Sequence, residues 1–117
     1  MTAGIDAELR ELRKDYLTDL QEQVALIRLH GEALLSRRKF KTSYPVLLYV
    51  AHQLKGSGGT IGFSEISAFG EKLSESLDAF LSDTEARPTP GALSKDVLAV
   101  VADLESALAR AKESVGT

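Results

Sequence analysis

The chain has 117 residues, room for one domain with one core and little more. Hydrophobic residues make up 44% and charged residues 26%, ordinary for a globular protein, and a net charge of −3 argues against nucleic acid as a partner. The absence of cysteine removes disulfides, zinc–thiolate sites and thiol chemistry, and two histidines far apart, His30 and His52, disfavour a histidine metal site. No apolar run approaches the ~20 residues of a membrane span, and the N-terminus lacks a basic-then-apolar secretion signal, so a cytoplasmic domain with no membrane partner is expected.

Along residues 5–35, Ile5, Leu9, Leu12, Tyr16, Leu20, Val24, Ile27 and Leu34 recur at steps of three and four, with a gap at Gly31. That is the period of a helix burying one face. Asp6, Glu8 and Glu11 near its start and Arg37, Arg38 and Lys39 near its end suit the helix dipole. A break at Leu20 or Gly31 would make this arm two helices. Residues 36–43 read as a polar connection, with Thr42 or Ser43 capping a helix from about Tyr44 to Ser57 and Pro45 in its first turn.

Gly58, Gly59 and Gly62 then read as a turn, and Ser64 as the cap of a helix carrying Ile66, Phe69, Leu73, Leu77, Phe80 and Leu81. Residues 83–91 form a loop by composition, and Ser94 opens a last helix with the stripe Val97, Val100, Val101, Leu104, Ala107, Leu108 and Ala111. No segment alternates with the two-residue period of a half-buried strand. The expected fold is a single all-α domain over residues 1–117: an antiparallel up-and-down four-helix bundle, with an extra N-terminal helix if the arm breaks.

The stretch around His52 carries the functional signal. At about 100° per residue, Leu47, Val50, Ala51, Leu54 and Gly58 cluster in one direction, the buried stripe, and His52 lies roughly 140° from its centre. Lys55 and Leu48 fall on the border of the two faces, and Gly56 and Gly59 lie near His52. A neutral imidazole nitrogen is a nucleophile; an adjacent ammonium would neutralise charge added to the ring, and missing side chains would clear the approach of a bulky partner. Leu48, Tyr49, Gln53 and Phe63 are the candidate docking residues around it. Taken singly, each feature has a plainer reading: an inert surface histidine, a solvated lysine, a helix stop. The conjunction favours function, because glycines at 56 and 59 weaken a helix without an evident structural need. His30 has no such setting and reads as an ordinary residue of the first arm.

His52, Leu54, Lys55, Gly56, Ser57 and Gly62 resemble the signature of histidine phosphotransfer (HPt) domains, His-x-Leu-Lys-Gly-Ser followed by a glycine ten positions after the histidine. Gly59-Thr60-Ile61-Gly62-Phe63 is also similar to the N-terminal phosphotransfer domain of chemotaxis-type histidine kinases. The resemblance implies a phosphorelay carrier that accepts a phosphoryl group on His52 through Nε2, with Lys55 as electrostatic partner and Gly56 as clearance residue. It implies no kinase activity and no cofactor of the chain's own; Mg²⁺ would sit on the partner's receiver domain. The partners implied are a sensor histidine kinase and response-regulator receiver domains. One position departs from the family: 22 residues after the histidine, where a glutamate or glutamine usually bonds the other ring nitrogen, stands Ser74, so that either Glu71 one turn earlier or a water bridging to Ser74 would take its place.

A different class of function competes with this one, a helical adaptor that binds a receiver or kinase domain without being phosphorylated. A metal-dependent hydrolase is more distant, since no second ligand lies near His52 in sequence. Met1 and a fading polar end suit a free-standing protein, although a phosphotransfer domain cut from a larger kinase would look the same; the family resemblance implies a monomer, since such a bundle needs no partner to close its core.

Overall fold

The helical period of the apolar residues is realised as four helices: α1 (Thr2–Ala33), α2 (Arg37–Ile61), α3 (Ser64–Ser82) and α4 (Pro90–Val115). The computed structural model describes residues 2–82 and 89–115, and these contain no strand. Each helix packs on two neighbours, α1 on α2 and α4, and α3 on α2 and α4, while the diagonal pairs do not touch. Antiparallel direction is fixed by cross-helix contacts such as Gln21 with Lys112 and Arg28 with Glu105, which pair α1 and α4 in opposite order. The result is an up-and-down four-helix bundle of 58 × 21 × 20 Å. Its core is aliphatic, with Leu20, Ile27, Leu47, Leu54, Leu73, Leu77, Val97 and Leu104 fully buried.

Several element boundaries differ from the sequence expectations. The first arm is one unbroken helix, so no extra N-terminal helix forms. Gly31 sits in it because the bundle is tight there: a Cβ at Gly31 would lie 2.8 Å from Val97 Cγ1. Leu12, expected in the buried stripe, is 56% exposed. Leu9 and Arg13 line a groove with Ser114 and Val115 of α4, whereas Leu12 points to a flank bordered only by α1 residues, Ala7, Glu8, Glu11 and Asp15.

The polar connection expected at residues 36–43 is mostly helix, and neither Thr42 nor Ser43 is a cap. Ser36 takes the N-cap position, and its carbonyl accepts from the Lys39 and Phe40 amides. Tertiary contacts override the turn chemistry of this segment. Phe40 and Tyr44 stack on each other and pack at a tilt against Phe80, and Ser43 is buried against His30, with 2.8 Å between Ser43 Oγ and His30 Nδ1. Pro45 therefore lies inside α2, not in its first turn. It is exposed, so the Lys41 carbonyl that it deprives of a donor is on the solvent side. Arg37, Arg38 and Lys39 consequently stand at the start of α2, against its dipole, and not at the end of α1.

Gly58 and Gly59 are helical, and the turn is confined to Gly62 and Phe63. Gly62 adopts φ 98° and its amide donates to the Gly58 and Gly59 carbonyls, while Phe63 N donates to Gly58 O at 2.7 Å. This is a glycine-terminated helix end of the Schellman kind. Ser64 is the first residue of α3, whose first turn closes on the Phe63 carbonyl. Leu81 is 55% exposed at the last turn of α3, one step around the helix from buried Phe80. Ser94 does not open α4, which begins at Pro90; it is buried and donates through Oγ to the Gly31 carbonyl at 2.7 Å. Of the expected loop, residues 83–88 lie outside the described residues, and Pro90 and Gly91 are helical.

Candidate functional site

The flanking residues Ala51 and Leu54, both 0% exposed, hold α2 against the core and leave the His52 ring on the outside. Pro45, Leu48, Tyr49, Lys55, Gly56 and Gly59 fall within about 60° of His52 around the helix, forming one outward stripe. In it Tyr49 is 63% exposed, Lys55, Gly56 and Gly59 are exposed, and Leu48 is half-buried against the core. A Cβ at Gly56 would meet nothing within 4 Å, and one at Gly59 only the Ser67 side chain at 4.0 Å. These two glycines serve no close packing, so what they leave open is the surface beside the imidazole.

On one flank, a groove of about 430 Å³ between α1 and α2 is lined by Tyr16, Asp19, Gln23, His52, Gln53, Gly56 and Ser57. Polar bonds stitch its walls. Tyr16 OH and Ser57 Oγ are 3.1 Å apart, Gln23 Nε2 donates to Gln53 Oε1 at 3.4 Å, and Gln53 Nε2 donates to Tyr49 OH at 2.7 Å. Gln53 thus ties the outer stripe to α1. Tyr16 also stacks on Phe63 with ring centroids 5.8 Å apart. Burial raises the Tyr16 phenol pKa, and the Ser57 hydrogen bond partly offsets this. Tyr16, Asp19 and Gln23 were invisible as site residues in the sequence. Nothing within one helix tells which of its polar side chains will border a histidine on the next.

On the other flank α3 comes very close. Ser67 Oγ donates to the Lys55 carbonyl at 2.5 Å, and a Cβ at Gly70 would lie 2.6 Å from Lys55 N. This register places Ser74 one turn further, level with Ala51, and Glu71 on the rim of the α2–α3 seam. Ser74 is buried, 5% exposed, and its Oγ has no hydrogen-bond partner among the described residues. Glu71 is exposed, and neither residue hydrogen-bonds the His52 ring. Phe63 and Gly62 lie beyond the end of α2; Gly62 is the helix terminator and Phe63 the stacking partner of Tyr16, which places them at the edge of the His52 surface. A slightly larger groove, about 460 Å³, lies at the α2–α3 turn between Arg13 and Arg110, but Arg110 is ion-paired to Glu65 and no histidine lines it. No group of three or more His, Asp or Glu among the described residues could hold a metal ion, and no described helix is long and apolar enough to cross a membrane.

The chain is thus an antiparallel four-helix bundle with His52 exposed on its second helix, beside Lys55 and the glycines Gly56 and Gly59. The Hpt domain family model matches residues 11–114, and the chain belongs to that family. The family consists of phosphocarrier modules of two-component signalling that work with kinase and receiver domains and have no kinase activity of their own. No curated protein and no solved structure gives a significant match to the chain.

Proposed function

We propose that this protein carries phosphate in a two-component phosphorelay, accepting a phosphoryl group on His52 from the aspartate of a receiver domain and returning it to another. In the forward step, the Nε2 lone pair of neutral His52 attacks phosphorus. The N–P bond forms as the bond from phosphorus to the aspartyl oxygen breaks, and the carboxylate leaves with its electron pair. Mg²⁺ and the acceptor aspartate belong to the receiver; the bundle contributes a rigid, in-line histidine and needs no cofactor. Lys55 offsets the charge of the phosphorylated ring, and Gly56 and Gly59 admit the receiver's active-site loops. Leu48, Tyr49, Gln53 and Phe63 form the contact surface. Glu71, exposed one turn before Ser74 on α3, holds the second ring nitrogen during transfer in place of the buried Ser74. The chain acts as a monomer in the cytoplasm, where kinases and receivers meet it.

The observation that carries this reading is an exposed His52 with Lys55 one turn away and open space where Gly56 lacks a side chain. The test is acid-labile phosphate on the protein after incubation with a phosphorylated receiver, with His52→Gln alongside. Label on the wild type that vanishes in the variant is expected. Receiver binding that survives His52→Gln, without label on either protein, would instead favour an unphosphorylated adaptor.

A further inference from the structure

The helix that carries His52 is electrically unlike the rest of the molecule. α2 holds five of the 14 lysines and arginines and none of the 17 acidic residues, so it bears +5 while the remainder of the chain bears −8. Ion pairs form within and between α1, α3 and α4: Lys14 with Glu11, Arg28 with Glu105, Lys72 with Asp103 and Arg110 with Glu65. The α2 cations Arg37, Arg38, Lys41 and Lys55 are exposed and join none of them. On the helix all four fall within about 60° of His52, so they share its outward stripe.

Local stability does not account for this placement. Arg37 and Arg38 occupy the first turn of α2, where the dipole favours acidic side chains and disfavours cations, and no acidic residue is present there. Nor do these charges tune the imidazole. Arg37, Arg38 and Lys41 lie about 16–23 Å along the helix from His52, well beyond the Debye length of about 8 Å at physiological salt.

We infer that the outward stripe of α2 is an electrostatic docking track, on which Arg37, Arg38 and Lys41 form a second contact, remote from His52, for an acidic surface on the receiver domain that exchanges phosphate with it. The inference rests on the function proposed above. The occupant follows from continuity and charge. A protein domain seated over His52 is wide enough to extend the three to four turns, about 16–23 Å, to the start of α2. There it meets three unpaired cations with no carboxylate on that helix to compensate them. Opposite charges placed this way raise the rate of encounter and fix the orientation of the partner, and their effect fades with salt.

The test uses the whole chain, the triple variant Arg37→Glu/Arg38→Glu/Lys41→Glu, and Lys95→Glu on α4, the helix diagonal to α2, as a control. A panel of purified receiver domains identifies the one that exchanges fastest with wild-type protein labelled by phosphoramidate. Transfer to it is then timed at about 20 mM and about 500 mM NaCl, where the Debye length falls from about 20 Å to about 4 Å. The triple variant is expected to melt no lower than wild type, because acidic residues suit a helix start. It should nevertheless transfer about tenfold more slowly at low salt, the two rates converging at high salt, while Lys95→Glu follows wild type. Equal transfer by the triple variant at low salt overturns the inference and leaves the proposed function standing. So does unchanged transfer combined with loss of binding to phosphatidylserine-containing vesicles, which would assign the patch to a lipid surface. No label on the wild type, or no receiver that exchanges with it, overturns the proposed function and this inference with it.

Discussion

Gly70 of α3 lies against the backbone of Lys55 of α2, so close that a Cβ on it would come within 2.6 Å of Lys55 N and 2.8 Å of Leu54 Cβ. Gly58 repeats the relationship from the other side, with Ser67 N 2.7 Å from where its Cβ would be. The two glycines set the separation of the helices beneath the His52 surface. A methyl group there has backbone to displace, not a flexible side-chain end. Gly70→Ala should therefore destabilise the fold by about 1–3 kcal/mol, as overpacking does, despite alanine's better helix propensity. Urea unfolding of the variant checks this, and a stabilised Gly70→Ala would show that the seam is looser than described.

Gly56 predicts the opposite sign. It is helical and exposed, and its missing Cβ has no neighbour within 4 Å. Gly56→Ala should stabilise the protein by about 0.5–1 kcal/mol, the ordinary gain for glycine to alanine in a helix. Gly56→Leu, which fills the space beside the ring, should slow transfer from a phosphorylated receiver at least severalfold. A melt and a timed transfer assay on both variants separate the two effects. Gly56→Leu with wild-type transfer would remove the clearance role.

How far these features were legible in the sequence differs by residue. The exposed face of His52 followed from helix geometry alone, because Leu47, Val50, Ala51 and Leu54 define the buried stripe without ambiguity and all four are buried. The start of α2 was not legible. Thr42, Ser43 and Pro45 carry the local chemistry of a helix start, but the packing of Phe40 and Tyr44 against Phe80 and the bond of Ser43 to His30 are contacts between helices. The same limit applies to Gly58, which reads as a turn residue in isolation and is a contact between helices in fact. The misplaced helix start had a consequence for charge: Arg37 to Lys39 read as favourable at the end of α1, and only the true boundary reveals them as cations at the wrong end of a dipole.

The two structural tyrosines predict an alkaline limit to stability. Burial raises the Tyr16 phenol pKa above its usual 10.0, with the Ser57 bond opposing, and burial together with the Asp78 carboxylate raises that of Tyr44. A phenol with a raised pKa keeps its proton longer when folded than when unfolded. Its stabilising contribution is complete below pH 10 and is lost as pH climbs through the folded value. Denaturant midpoints should accordingly hold steady towards pH 10 and fall above it. Tyr44→Phe, which also removes the hydrogen bond to the Leu77 carbonyl, should cost about 1 kcal/mol at neutral pH and blunt that alkaline fall. An identical alkaline profile in Tyr44→Phe and in Tyr16→Phe would assign the loss to other groups.

Ser74 and Glu71 can be told apart by substitution. Ser74 is 5% exposed and its Oγ has no partner, so the fold carries an unsatisfied hydroxyl that alanine would remove. Leaving a buried polar group unpaired costs about 1–3 kcal/mol, and Ser74→Ala should raise stability by about 1 kcal/mol while leaving little space behind. The hydroxyl is shut into the seam, whereas the Glu71 carboxylate is exposed one turn earlier on the same side of α3. On the function proposed above, Glu71 is the residue that swings to the second nitrogen of the His52 ring during transfer and accepts its N–H. Glu71→Ala should slow phosphoryl uptake severalfold, because the ring loses the group that orients it. Glu71→Gln, able to accept the same hydrogen bond without charge, should recover most of the rate. Timed uptake from a phosphorylated receiver for the three variants decides the matter. Slowed uptake in Ser74→Ala, with Glu71→Ala behaving as wild type, would transfer the positioning role to the buried serine.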